Sequence, residues 1–185
     1  MEANQTDLSA LVRVADCAPT VYADLKYAGP DNFTGQTIYD FDQPYLRRGT
    51  ALRLARAQEL LLREGCALKI WDAWRPLSAQ FKMWEVCPND DYVADPTHGG
   101  SSKHNRGSAV DVTLVTADGR DLPMPTEFDD FAADPNRDYD KYAPEAAANA
   151  RRLEAAMTAA GFVPYENEWW HYNDCDPYPV VELEL

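Results

Sequence analysis

Apolar residues between Ala51 and Glu64 recur at helical spacing, with Ala51, Leu54, Ala55, Leu61 and Leu62 on one stripe, and this period predicts a helix. Thr50 is its expected N-cap and Gly65 its expected stop. The pattern then changes to alternation. Leu68 and Ile70 mark a strand over Ala67–Ala73 that delivers Asp72, Trp74 and Arg75 to its end, where Pro76 breaks it. Leu77–Val86 reads as a second, shorter helix, and residues 87–103, rich in Pro, Asp, Gly and Ser, read as a long loop of the kind that carries function.

Alternation returns over Ser108–Val115. Val110, Val112 and Leu114 share one face there, and Ala109, Asp111 and Thr113 share the other, so Asp111 points away from the aliphatic side. Asp118-Gly119 predicts a tight turn and a hairpin returning through Leu122. After Pro144 a long run places Ala146, Ala150, Leu153, Met157 and Ala160 on one helical stripe that ends at Gly161. Helices and short hairpin-like strands in this order predict an α+β fold, with helices covering one side of a small, mainly antiparallel sheet.

A chain of 185 residues, 45% hydrophobic and 26% charged, has material for one packed core and no compositional sign of disorder. The formal charge is −14, from 31 acidic and 17 basic residues, without a Lys/Arg-rich run, which argues against a nucleic acid partner. No stretch approaches the ~20 apolar residues of a membrane span, and no signal peptide is visible. Cys17, Cys66, Cys87 and Cys175 form no Cys-x-x-Cys pair. Reduced thiols and a cytoplasmic location are the leading expectation, with a periplasmic or secreted location, after loss of a leader, as the alternative.

Two of the three histidines sit among other reactive residues, in the segments Ser102–Asp111 and Glu168–His171. Two His and one carboxylate suit zinc and leave its fourth tetrahedral position open for water, the catalytic arrangement. His104 and Asp111 can supply two ligands from one loop-strand unit, with Gly107 permitting a tight turn between them. Glu168 is the candidate general base, beside two tryptophans. In an ideal strand residues 168 and 171 face opposite ways, so both reach one metal only if the segment is bulged, turned or helical. Arg75 is a fixed cation suited to a developing oxyanion. Plainer readings stand beside these: His104 and His171 as members of ordinary His-carboxylate pairs, Trp169 and Trp170 as core aromatics, and Arg75 as a structural partner of Asp72. His98, between Thr97 and Gly99, is expected to be a solvated loop residue outside the site.

The pattern Ser-x-His-x-x-Gly-x-Ala-x-Asp at 102–111, followed by Glu-x-Trp-His at 168–171 (through Trp169 and Trp170), resembles the D-alanyl-D-alanine dipeptidases of the vancomycin-resistance type, a VanX-like group of zinc D,D-peptidases. Ala23–Ala28 with Asp31–Gly35, Trp71–Pro76, and Met124 through Phe128-Asp129 extend the resemblance over about residues 20–172. Residues 1–19 and 173–185 are then expected to be peripheral parts of one domain spanning 1–185. Trp74 and Pro125 stand where the family often has Tyr and Gly.

The resemblance implies a hedgehog/DD-peptidase-like fold, one Zn2+ on His104, Asp111 and His171, Glu168 as general acid/base, and Arg75 stabilising the tetrahedral intermediate. It further implies that Tyr27, Ser102 and Asp129 hold a small D,D-dipeptide, Asp129 near its free amine. The expected activity is hydrolysis of D-alanyl-D-alanine by metal-activated water. The alternatives are a carboxypeptidase trimming D-Ala or L-Ala from longer peptidoglycan stems, and a zinc-stabilised binding module without turnover.

Overall fold

A computed structural model describes residues 7–90, 92–97, 102–130 and 132–183. Its strands are β1 (Leu11–Arg13), β2 (Tyr22–Ala23), β3 (Tyr45–Arg47), β4 (Cys66–Asp72), β5 (Ala109–Thr116), β6 (Val163–Pro164) and β7 (His171–Asn173). The helices are α1 (Arg48–Leu62), α2 (Leu77–Val86) and α3 (Pro144–Ala159). Five strands form a sheet in the order β2-β4-β5-β7-β6, antiparallel except for the β2–β4 pair, and β1 pairs with β3 in a separate ribbon. This is the α+β architecture that the alternation of patterns predicts.

Helices α1 and α3 pack on each other and on β4 and β5. Leu54, Leu61, Leu153 and Met157 meet Leu68, Ile70, Val112 and Leu114 in the main core, each essentially without solvent exposure. Removing any one of these large side chains by truncation to Ala costs about 2–5 kcal/mol. The stripe on α1 is rotated from the sequence expectation: Leu62 is 39% exposed, while Gln58 faces inward and is buried. Gln58 is satisfied on both ends, accepting from the Leu68 N–H (2.7 Å) and donating to the Thr20 carbonyl (2.7 Å). An amide with such partners can enter a core that its polarity alone would keep it from.

Thr50 does not cap α1, which begins at Arg48. Its hydroxyl instead donates to the buried Asp174 carboxylate at 2.7 Å. The predicted hairpin turn is present, with Gly119 at φ +90° and the Thr116 N–H on the Arg120 carbonyl at 2.8 Å. Its return arm makes only one bridge, Val115 to Asp121, before the chain departs.

In the two terminal segments, expected to be peripheral, several of the described residues (7–19 and 173–183) are tied to the body. Val14 and Ala18 are buried, and Arg47 gathers the ends through the carbonyls of Ser9 (2.5 Å), Arg106 (2.8 Å) and Pro179 (2.8 Å). Further along the tail, the Val181 N–H bonds the Asn105 carbonyl and the Val181 carbonyl accepts from Trp74 Nε1. All four cysteines are free, and no helix of the described residues is long and apolar enough to cross a membrane.

Candidate metal centre and active site

Sheet register builds the centre. Asp72 on β4 lies opposite Asp111 on β5, and Asp111 lies opposite His171 on β7, so three chemically active side chains form a row across adjacent strands. A register shift between Ile70 and Asp72 brings Asp72 into that row. His104 arrives from a single 3-10 turn, His104–Arg106, which Gly107 closes at φ +67°. The left-handed backbone angle favours glycine there, and a Cβ would also stand 2.7 Å from Leu11 Cδ1 and 3.3 Å from the Arg47 backbone nitrogen.

Ligand atoms of His104, Asp111 and His171 all lie within 4.8 Å of one another. His104 Nε2 is 3.4 Å from Asp111 Oδ2 and 3.2 Å from His171 Nδ1, and His171 Nδ1 is 2.9 Å from Asp111 Oδ1. Tetrahedral zinc with bonds near 2.0–2.1 Å sets its ligand atoms about 3.3 Å apart, so these separations fit. Hydrogen bonding points the same way. His104 Nδ1 lies 2.6 Å from the Ala73 carbonyl, which can only accept, and His171 Nε2 lies 3.0 Å from Asn173 Oδ1. Each imidazole thus donates outward and turns its other nitrogen's lone pair toward the carboxylate. Three acceptors facing one point call for a cation. Without one the cluster takes up a proton: burial alone would lower His171, but the hydrogen bond and charge of Asp111 raise it to about 9. Burial would raise Asp111, and the two histidines outweigh it and hold that carboxyl well below its usual range.

These residues line a cavity of about 260 Å³ that also receives Tyr27, Arg75, Ser102, Asp129, Glu168 and Trp170. The difficulty of Glu168 and His171 is resolved by a turn. The His171 N–H bonds the Glu168 carbonyl at 3.2 Å, and Glu168 Oε2 comes to 3.8 Å from His171 Nδ1. Burial raises the Glu168 carboxyl above its ordinary value, helped by Asp111 and opposed by the histidines.

Arg75 is both a structural partner and a cavity residue. Nε and Nη2 bond Asp72 Oδ2 at 3.2 and 2.6 Å, and Nη1 bonds Gln80 Oε1 at 2.9 Å. Burial would favour loss of its proton, but Asp72 together with Tyr39 and Tyr27 holds it well above the ordinary value. The Tyr39 hydroxyl donates to the other Asp72 oxygen at 2.6 Å. Three of the five guanidinium N–H groups are engaged in these bonds, which leaves two others for a ligand.

Tyr27 is buried beside Phe33, Tyr39 and Phe128 and donates its hydroxyl to Asp129 Oδ2. Asp129 has φ +54°, uncommon outside glycine, and its carboxyl is raised to about 8 by burial and by the charges of Asp111 and Glu168, against the Tyr27 hydrogen bond. Ser102 reaches the cavity and also accepts the His104 N–H at 3.2 Å, so its hydroxyl helps to shape the ligand turn. Trp169 and Trp170 are buried; only Trp170 lines the cavity, while Trp169 Nε1 bonds Thr126 Oγ1. His98 lies outside the described residues.

Sequence reasoning missed Asn173, Tyr39 and Gln80. Asn173 had a signal, since it is two residues after His171 and therefore on the same strand face. The other two had none, because Tyr39 and Gln80 come from segments that only folding brings to Asp72 and Arg75.

A model of the D-ala-D-ala dipeptidase family, peptidase family M15, matches residues 7–181. The chain belongs to this family. It is 37% identical over 178 residues to a D-alanyl-D-alanine dipeptidase of Escherichia coli (strain K12), covering 95% of this chain and 91% of the relative. It is also 33% identical over 176 residues to one of Enterococcus faecium, with 84% and 87% covered, and 32% identical over 190 residues to one of Streptomyces coelicolor, with 88% and 90% covered. As a member of the M15 family the chain is a metallopeptidase, and the His-Asp-His cluster is its candidate metal site.

Proposed function

We propose that the chain hydrolyses D-alanyl-D-alanine, with one zinc ion held by His104, Asp111 and His171. The observation that carries this reading is the convergence of two outward-donating imidazoles and a carboxylate at tetrahedral ligand spacing, on a cavity that also holds Glu168 and Arg75. Bound there, zinc supplies a Lewis acid and brings the pKa of a water molecule to about 7.

The protein's own groups do the rest. Glu168 takes a proton from the attacking water on its carboxylate and returns it to the leaving amine, a role suited to a carboxyl whose pKa burial has raised. Arg75, fixed by Asp72 and Gln80, directs its remaining N–H groups toward the charge developing on the scissile carbonyl oxygen. Asp129, bonded by Tyr27, receives the substrate ammonium, which restores the negative charge that burial disfavours. Ser102 stands near enough to the ligand turn to contact the substrate backbone. Names of relatives, each a D-alanyl-D-alanine dipeptidase, support the choice of substrate.

The test is D-alanine release by purified protein from D-Ala-D-Ala, from N-acetyl-D-Ala-D-Ala and from a stem pentapeptide, with and without chelator. The expected result is chelator-sensitive cleavage of the free dipeptide, with the acetylated compound at least about 10²-fold slower because it lacks the ammonium that pairs with Asp129 and adds bulk in its place. Equal cleavage of the free and acetylated dipeptides, or preference for the pentapeptide, favours the carboxypeptidase. Zinc binding without any turnover favours the binding module.

A further inference from the structure

Glu168 and His171 belong to one short segment, and what shapes that segment lies outside the cavity. In extended backbone, side chains three apart point to opposite faces. The turn over residues 165–171 avoids this, with the Glu168 N–H on the Tyr165 carbonyl at 3.4 Å and the His171 N–H on the Glu168 carbonyl at 3.2 Å. Three carbonyl oxygens of the segment then face one guanidinium. Arg137 Nε donates to Tyr165 O at 2.8 Å, and its Nη2 donates to Glu168 O at 3.0 Å and to His171 O at 2.9 Å.

The guanidinium is itself held in place. Its Nη1 meets Glu154 Oε2 at 3.0 Å and the hydroxyls of Tyr139 and Tyr172 at 2.9 and 3.1 Å, and its carbon sits 4.5 Å over the Tyr172 ring. The Arg137 side chain is only 5% exposed. Its backbone runs beside the same turn, with the Arg137 N–H on Glu166 O and the Trp169 N–H on Pro135 O. Three carbonyls with their negative ends together repel one another, and a planar cation with forked donors is the side chain that satisfies all of them at once.

We propose that Arg137 is a positioning residue for the hydrolysis, clamping the 165–171 turn so that Glu168 and His171 present their side chains to the same point. His171 has a second anchor, the pairing of β7 with β5, whereas Glu168 lies in the turn before that strand begins. Loss of the clamp therefore displaces the base more than the metal ligand. The inference rests on the reading of Glu168 as the base.

The experiment compares Arg137→Lys in the parent and in Glu168→Gln, measuring kcat and KM for D-Ala-D-Ala, zinc affinity by chelator competition, and the thermal midpoint. Arg137→Lys is expected to lower kcat by about 10–100-fold, as a misplaced catalytic group does, with KM and zinc affinity within about threefold. In the Glu168→Gln background the same change is expected to lower kcat less than about twofold, because residues acting as a unit are not additive. An equal factor in both backgrounds, or loss of zinc in proportion to loss of turnover, overturns the clamp alone. Near-parental turnover of Glu168→Gln overturns the reading of Glu168 and the clamp with it. Should Arg137→Lys fail to fold, Glu154→Gln keeps the guanidinium and removes the charge at its far end. It is expected to show the same split at about two- to tenfold in kcat; an unchanged kcat, or a change mirrored in zinc affinity, overturns the proposal.

Discussion

The two walls of the cavity are made differently. On one, Asp111 and His171 stand in register on adjacent strands with the buried Asp72 behind them on a third, His104 and Arg75 join them, and each has a specific partner that fixes its orientation. On the other, Ser102 and Asp129 come from irregular segments, are half-buried, and include a backbone angle that L-residues seldom adopt. A metal needs ligand atoms held to a few tenths of an ångström, which hydrogen-bonded strands provide. A substrate must enter and leave, which loops permit. The difference lies in how the side chains are held: Asp111 and His171 by sheet register, Ser102 and Asp129 by irregular backbone.

The strongest way to break that contrast is on the strand wall. His104→Ala or His171→Ala is expected to reduce zinc from about one per chain to a trace after dialysis and to abolish turnover, since only two protein ligands would remain. Metal analysis of the dialysed variants is the check, and full retention would remove that residue from the centre.

Next in size is Arg75. Arg75→Ala leaves Asp72 charged and buried without its cation, which costs on the order of 3–5 kcal/mol in a urea titration. It should also lower kcat and kcat/KM by similar large factors, and Arg75→Lys should rescue only in part because an ammonium lacks the planar fork. An effect confined to KM would assign Arg75 to ground-state binding instead.

The smallest effect belongs to the loop wall. Burial first, then the charges of Asp111 and Glu168, raise Asp129 to about 8, against about 3.9 for an unfolded chain. The folded protein therefore holds a proton that the unfolded chain releases, and the stability this group contributes is complete below about pH 4 and lost as pH rises to about 8. In metal-free protein, Asp129→Asn should gain stability relative to the parent by at least about 1 kcal/mol between pH 4 and pH 8. Urea midpoints at the two pH values test this, and a constant difference at both would exclude titration of Asp129 as its cause.

Much of the strand wall was legible because its signals are local. The alternation around Val110, Val112 and Leu114 put Asp111 on the non-aliphatic face, and the clustering of His104 and His171 with carboxylates marked them as candidate ligands. The Glu168 difficulty was also visible, as a conflict between strand period and shared chemistry, but its solution was not. That solution depends on Arg137, more than thirty positions upstream of the last carbonyl it binds, and no periodicity links the two. The same holds for Thr50, whose sequence setting suits a cap and whose hydroxyl goes instead to Asp174.

By itself, then, the sequence determined the order and kind of the main elements, the α+β class and the residues chemically able to bind a metal, because hydrophobic period and side-chain chemistry are properties of a few neighbouring positions. Only the tertiary structure decided which imidazole nitrogen faces the centre, which carboxylate holds Arg75, and how Glu168 and His171 come to point the same way. Those outcomes depend on the Ala73 carbonyl, Asn173, Asp72 and Arg137, and a hydrogen bond between distant segments exists only once the sheet has placed both of its ends.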